Sequence, residues 1–518
     1  MRYGFVIDQN RCIGCHACTV ACKEEHQVPV GVFRTWVKYV EKGQYPHTSR
    51  HFGVMRCNHC DSAPCVTICP TKALYRRSDG IVDFDNQRCI GCKSCMQACP
   101  YDALYIDPNN NTAAKCNFCA HRVETGLEPA CVIVCPTQAI LAGDLDEPSS
   151  NVSRAVATQK VSVRKPEKGT DPKLFYIGIE GDILHPNRLA RQDGYVFAEQ
   201  RDHRPKETSF DPAVTREVYD VAHPAPWGWK IGAYLWTKSI AAGVMLMAAA
   251  MLGLRFFGEP IVNVAIPVIA LVALAATGLL LIFDLKRPDR FFYLLTKPNL
   301  RSWLVIGSYV LIAYGALCTA WLVCGLLYNG VPGALVIPTA ILAAASACYS
   351  AFLFAQAKGR DLWQSPMFFW HLLVQSFVAG AAVLLLTTIF SLALSPHFSR
   401  LASTMKLYLA GRAFLFLLFF LVVSLAMVLA EVFLPHMTED LRVAVANMVS
   451  GPLSIRFWFL AIGAGMVLPL VLLTCVIVIP STVRTDLALM AVAASLSLAG
   501  VWWFEDVWVK AGQSVPLS

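Results

Sequence analysis

Four runs of four cysteines packed between Cys12 and Cys135, and eight apolar stretches of spanning length after residue 230, predict a protein in two parts. The first is an α+β head built round metal clusters, and the second an all-α eight-helix transmembrane bundle. Composition supports the division. Of 518 residues 55% are hydrophobic and only 15% charged, too apolar for one soluble globule, yet residues 1–229 read as ordinary polar protein. The net charge of +8 is modest and gives no reason to expect a nucleic-acid partner.

The cysteine runs are Cys12-Cys15-Cys18-Cys22, Cys57-Cys60-Cys65-Cys69, Cys89-Cys92-Cys95-Cys99 and Cys116-Cys119-Cys131-Cys135. The first and third have the spacing C-x2-C-x2-C-x3-C of bacterial ferredoxins, in which three close thiolates grip one iron-sulfur cubane and the fourth reaches across to another. A cysteine followed by proline, as at Cys69-Pro70, Cys99-Pro100 and Cys135-Pro136, suits the remote ligand, because proline fixes its own torsion and steers the chain away. Sixteen thiolates therefore predict four cubanes in a ferredoxin-like head over residues 1–148.

An internal repeat strengthens this. Arg11 to Cys22 recurs as Arg88 to Cys99, Arg56 to Cys60 (RCNHC) as Lys115 to Cys119 (KCNFC), and Cys65 to Leu74 as Cys131 to Ile140. Duplication of a cluster-binding unit explains the pattern, whereas a disulfide scaffold does not require it. Disulfides in CxxC pairs this dense would be strained local bridges, and no secretory signal peptide is visible. Zinc is the better alternative, but it needs neither the third cysteine of C-x2-C-x2-C nor the CP endings.

In chain order, Tyr3 to Asp8 and Ile81 to Asp85 read as short strands leading into cluster loops. Such a head is expected to fold poorly without iron. Residues 149–229 are polar and rich in turns, as at Lys165 to Gly169 and His223 to Trp227, with one candidate strand at Phe175 to Ile179. Lacking a metal or nucleotide motif, this segment reads as an extension wrapped on the head, and His185, His203 and His223 as ordinary surface residues.

Residues 230–518 hold the apolar stretches, near Tyr234 to Phe257, Ile261 to Asp284, Trp303 to Tyr328, Pro332 to Gln356, Met367 to Leu394, Leu407 to Leu434, Phe457 to Pro480 and Leu487 to Val509. Each exceeds the roughly 20 helical residues needed to cross a hydrocarbon core. Eight crossings return the chain to the side it started from. Loops on the head's side carry Lys286, Arg287, Arg290, Lys297, Arg301, Lys358, Arg360, Arg442 and Arg456; the opposite loops carry Arg255, Arg400, Lys406, Arg412 and Arg484. The bias puts the head on the cytoplasmic face of an inner membrane, in keeping with the lack of a twin-arginine signal.

Ionisable groups are costly in lipid and mark function there. Lys238 in the first stretch, Asp284 ending the second, His371 in the fifth and Glu431 ending the sixth all fall toward the head's side. A quinone head group docking near a cluster needs a hydrogen-bond partner for each carbonyl and a proton route, and His371, Gln375 one turn on, and Asp284 are the first candidates. The plainer reading pairs Asp284 with Arg287 or Arg290 and lets Lys238 and Glu431 snorkel to the interface. His371 is the one histidine inside the eight stretches, so no bis-histidine haem is expected. Cys318, Cys324, Cys348 and Cys475 read as small apolar residues.

The four cysteine runs resemble the electron-transfer subunits of the complex iron-sulfur molybdoenzyme family. Asp284 to Ser302 (DLKRPDRFFYLLTKPNLRS) and the eight stretches resemble the NrfD/polysulfide-reductase type of membrane subunit, which reacts with quinones without haem. The resemblance implies that Cys12, Cys15, Cys18 and Cys135 hold the cluster nearest a catalytic subunit, and Cys22, Cys116, Cys119 and Cys131 the second. It gives Cys57, Cys60, Cys65 and Cys99 to the third, and Cys89, Cys92, Cys95 and Cys69 to the one next to the membrane. All are expected to be [4Fe-4S]. The implied function is electron exchange between quinone and a molybdenum- or tungsten-pterin subunit. A multihaem cytochrome partner, a redox-driven ion-translocating module and a pure structural anchor are the alternatives.

Overall fold

A computed structural model describes residues 1–44, 46–191, 215–253, 259–394, 400–480 and 482–518. The protein forms two compact units: Met1–Pro226 with Ala357–Gly359 and Pro516–Ser518, and Trp227–Gln356 with Arg360–Val515.

The first unit is an α+β head of short elements. Its central sheet has the order Ile140–Asp144, Tyr3–Asp8, Leu174–Ile177, Val161–Ser162. Tyr3–Asp8 (YGFVID) is apolar at successive positions because both of its faces are covered. It pairs antiparallel with Ile140–Asp144, Phe5 opposite Ala142, and parallel with Leu174–Ile177, Phe5 opposite Leu174. The expected strand near Phe175 thus lies inside the head's sheet, and Val6, Val152, Ala155 and Ile177 pack together there. A second sheet joins Arg216–Tyr219, Thr35–Gln44 and His47–Arg56, over a core of Trp36, Val40, Met55, Ile183, Leu189 and Val221.

The sequence repeat is also a backbone repeat. Residues with positive φ come at matched places: Gly14 and Gly91 (70° and 67°), His16 and Lys93 (60° and 63°), His59 and Phe118 (43° and 62°), Lys72 and Gln138 (54° and 52°). Bulky side chains rarely take this conformation, so its recurrence means that both copies wrap their loops alike. Each copy starts one short helix just before the third cysteine of C-x2-C-x2-C (Ala17–Glu25, Ser94–Ala98) and sets another before a CP ending (Pro64–Ile68, Ala130–Ile133).

In the second unit eight helices among the described residues are long and apolar enough to span a membrane: Trp229–Gly253, Ile261–Asp284, Trp303–Tyr328, Gly333–Ala355, Met367–Ala393, Thr404–Phe433, Arg456–Val478 and Val483–Gln513. The first and fifth are the most enclosed, with 72% and 67% of their apolar window buried. They approach closely at Gly243 and Gly380, where a Cβ on either would strike the other's backbone. Val272, Leu279, Ile312, Ile341, Phe390, Phe419 and Val422 face outward, an apolar belt suited to lipid.

Two lone side chains prove to be partnered. His223 is at the surface as expected but engages two carboxylates: its Nδ1 lies 3.0 Å from Asp102 and its Nε2 3.8 Å from Asp220, which also pairs with the buried Lys38 at 3.3 Å. The carboxylates outweigh burial and hold His223 up at about 9. His185 is exposed as expected, and His203 lies outside the described residues. Lys238 does not snorkel. It is fully buried, and its Nζ donates to Ala347 O at 2.8 Å and Ser350 Oγ at 2.7 Å.

Candidate functional site

None of the sixteen head cysteines is in a disulfide. The wrapped loops and CP turns gather them from different runs. One cavity is bounded by Cys12, Cys15, Cys18 and Cys135, with Ile13, Val37 and Val54. A second is bounded by Cys57, Cys60, Cys65 and Cys99, with Pro64, Tyr101 and Leu104. A third is bounded by Cys69, Cys89, Cys92 and Cys95, with Phe84 and Ile90. Cys22 has Cys116, Cys131 and Cys119, with Arg56, within electrostatic range, which completes four groups of four.

Backbone and side-chain donors already point at several sulfurs. Ala139 N–H donates to Cys135 Sγ at 3.2 Å, and Gly91 and Ala113 N–H to Cys89 Sγ at 3.4 Å each. Arg56 Nη1 donates to Cys131 Sγ at 3.1 Å, and His26 Nε2 lies 3.2 Å from Cys119 Sγ. Burial pushes Cys18 and Cys99 up to about 11 and Cys92 and Cys119 up to about 12. Unless a cation holds them as thiolates they are neutral thiols at physiological pH. Cys135 goes the other way: burial raises it, but the Ala139 amide and Thr137 outweigh that and lower it.

In the helical unit His371, 1% exposed, sits on the fifth helix with Nε2 2.7 Å from Glu431 Oε2 on the sixth. Ser365 Oγ donates to the other Glu431 oxygen at 2.9 Å. Phe504 and Trp508 of the eighth helix place their rings 5.5 and 5.8 Å from the imidazole. Among the described residues four buried polar atoms near this pair lack a partner: His371 Nδ1, Gln375 Nε2, Glu505 Oε2 and Trp508 Nε1. They come from two helices that pack together, the fifth and the eighth. The other Glu505 oxygen accepts from Ser239 Oγ at 3.1 Å, and Lys238 is within electrostatic range of Glu505. Asp284 is half-buried at the end of the second helix, in electrostatic range of Tyr234 on the first.

Direct contact therefore joins His371 to Glu431, with Gln375 one turn away, and Lys238 lies within electrostatic range of Glu505. Glu505 and Asp506, 1% and 4% exposed, escaped the sequence reading. The signal was present: Phe504-Glu505-Asp506 interrupts an apolar span with two adjacent carboxylates. Asp506 has its own partner, Lys510 at 2.6 Å.

Comparison with known proteins covers both units. Two family models described as 4Fe-4S dicluster domain match residues 11–73 and 49–145. A third, described as Polysulphide reductase, NrfD, matches residues 217–516, more than half of the sequence. The head is 45% identical over 189 residues to one subunit of the tetrathionate reductase of Salmonella typhimurium, covering 36% of this chain and 76% of that protein. It is 42% identical over 179 residues to one component of the polysulfide reductase of Wolinella succinogenes, covering 34% and 94%. It is 36% identical over 225 residues to the arsenate respiratory reductase iron-sulfur subunit ArrB of Shewanella, covering 34% and 96%. The protein belongs to the NrfD polysulphide-reductase family and carries, on the same polypeptide as that multi-pass membrane subunit, a 4Fe-4S dicluster electron-transfer head related to reductase iron-sulfur subunits.

Proposed function

We propose that this chain exchanges electrons between membrane quinone and a molybdenum- or tungsten-pterin catalytic subunit, relaying them through four [4Fe-4S] clusters. The ligand sets are Cys12, Cys15, Cys18, Cys135; Cys22, Cys116, Cys119, Cys131; Cys57, Cys60, Cys65, Cys99; and Cys69, Cys89, Cys92, Cys95. Each cluster supplies a one-electron carrier. The residues suit cubanes better than single ions. Among the described residues no three His, Cys, Asp or Glu side chains close on a point that one ion could occupy, which favours a cluster over a single zinc ion. An outer partner suits the first set, where Cys15 is exposed beside exposed Ile13 and where Val20 and Ile133 are also uncovered.

The observation that carries the quinone reading is the group of four partnerless buried polar atoms on His371, Gln375, Glu505 and Trp508. Buried polar atoms are normally satisfied, and a ligand with two carbonyl oxygens would accept from the donors among them, His371, Gln375 and Trp508. In this reading His371 and Gln375 donate to a quinone carbonyl, the His371–Glu431 pair carries the proton, and Lys238 and Asp284 lie further out. No haem takes part. The relatives named as reductase subunits support a catalytic partner, and the loop charges support a cytoplasmic head.

The test is purification from the native membrane in mild detergent, with assay of the companion proteins, molybdenum, tungsten, iron, haem and quinol-dependent reduction. A large companion with molybdenum or tungsten, about sixteen irons from this chain and no haem are expected. A haem-rich cytochrome in its place would refute the pterin partner.

A further inference from the structure

Arg56 and Lys115 are buried cations of the head, each 0% exposed, and among the described residues neither is in an ion pair with a carboxylate. An uncompensated charge in such a place is costly, and here the group available to offset it is the thiolate-bearing cluster. The two residues are equivalents in the internal repeat, Arg56 opening RCNHC and Lys115 opening KCNFC. Each lies beside the set to which its own run does not belong. Arg56 precedes Cys57 but donates to Cys131 Sγ at 3.1 Å and lies in electrostatic reach of Cys116 and, more weakly, of Cys18 in the first set. Lys115 precedes Cys116 but lies in electrostatic reach of Cys65, the repeat equivalent of Cys131.

The symmetry is broken in one respect. Arg56 hydrogen-bonds the thiol itself and stacks its guanidinium 4.6 Å from the centre of the Phe5 ring. Lys115 spends its ammonium on backbone, the carbonyls of Val82 and Cys116, the latter at 2.8 Å, and acts on the cluster through space. Between them lie Phe5, His59 and Phe118, with Phe5 and Phe118 centroids 4.1 Å apart and His59 and Phe118 5.4 Å apart.

From this geometry we infer that Arg56 and Lys115 are a crossed pair of potential-setting residues, Arg56 for the cluster on Cys22, Cys116, Cys119 and Cys131, and Lys115 for the cluster on Cys57, Cys60, Cys65 and Cys99. Each adds a fixed positive charge beside a site that becomes more negative on reduction, so each raises the reduction potential of the neighbouring centre. The direct hydrogen bond makes the Arg56 effect the larger. The inference rests on the ligand sets proposed above.

The experiment is a redox titration of the purified native complex followed by electron paramagnetic resonance, comparing wild type with Arg56→Met, Arg56→Lys and Lys115→Met. Signals are assigned by their loss in Cys131→Ser and Cys65→Ser, and iron per copy is measured throughout. The ligand sets themselves fail if these two serine variants remove the same signal or none. With the sets upheld, Arg56→Met is expected to shift the oxidised-to-reduced ratio of the Cys131 cluster at fixed poise by about tenfold or more, about 59 mV for one electron, toward a lower potential. Lys115→Met is expected to move the Cys65 cluster the same way by less, and Arg56→Lys to fall between wild type and Arg56→Met. Unchanged potentials at full iron, both methionine variants shifting one cluster, or Arg56→Lys matching Arg56→Met would overturn the inference. So would loss of iron in Arg56→Met with wild-type potentials in the other two, since the cation would then be a packing element.

Discussion

Replacing His371 by alanine separates a quinone site from a structural ion pair. The ring is 1% exposed and its Nε2 stands 2.7 Å from Glu431, which keeps Ser365 Oγ at 2.9 Å when the ring is gone. The structural cost is one hydrogen bond to a charged group, about 1.5–3 kcal/mol, spread over an eight-helix bundle that should still assemble. The functional cost is larger. A positioned proton-transfer group contributes about 10²–10⁴-fold, or about 3–5 kcal/mol of barrier. Quinol-dependent turnover of the complex is expected to fall by about 100-fold or more. Turnover fed by a reduced dye that enters at the clusters should stay within about twofold of wild type. The isosteric Glu431→Gln, which leaves the imidazole in place, should lose less. Equal losses in both assays would mean that the pair is structural. Wild-type quinol turnover with full iron would remove His371 from the reaction altogether.

Four further outcomes are expected. His223→Gln should cost the head stability below about pH 7 and little above about pH 10, as read by loss of visible cluster absorbance on heating. The folded pKa is raised from 6.5 to about 9, so the stabilisation is complete below the unfolded value and lost as pH rises through 9, at most about 3 kcal/mol. Cys15→Ser should lower iron by about four per copy and leave the other signals, because its set is the most exposed; losing all clusters would contradict four separable sites. Gly243→Val should prevent assembly of the helical unit, since a Cβ there meets the Ser376 and Gly380 backbone; a wild-type yield in detergent would refute the close crossing. Stripping iron should abolish protease resistance in residues 1–226 while leaving helical circular dichroism largely intact.

Elements whose physics is local were legible in the sequence. Cluster loops announce themselves because three ligands of one cubane must be close in sequence, and the spans because a bilayer demands length and apolarity; Ile261–Asp284 and Trp303–Tyr328 end where the hydropathy says. Direction was not legible. The spans are apolar all round, so periodicity does not say which face of the first helix looks inward, and Lys238 reads equally as buried or snorkelled. Glu505 was visible as a residue but not as a neighbour of Lys238 and Ser239, since that depends on the first and eighth helices packing together. His223 reads as surface from its turn-rich stretch, as it is, and only the approach of Asp102 and Asp220, one of them distant in sequence, makes it an ion-pairing link.

The two units solve the problem of buried charge in opposite ways. In the helical unit it is met by other side chains: His371 faces Glu431, Lys238 is held by Ser350 and a carbonyl with Glu505 in range, and Lys510 binds Asp506. The charged groups named here thus have protein partners, although one buried oxygen, Glu505 Oε2, is left without one. Around the cysteines the case differs. Arg56 and Lys115 are buried without carboxylates, and burial raises the neighbouring Cys18, Cys116 and Cys65 thiols, so these offer the cations no compensating charge until metal makes them thiolates. The charges that stabilise the loaded head therefore penalise the empty one, and cluster insertion becomes the step that completes its fold. The helical unit, whose charges are already met, carries no such dependence on iron.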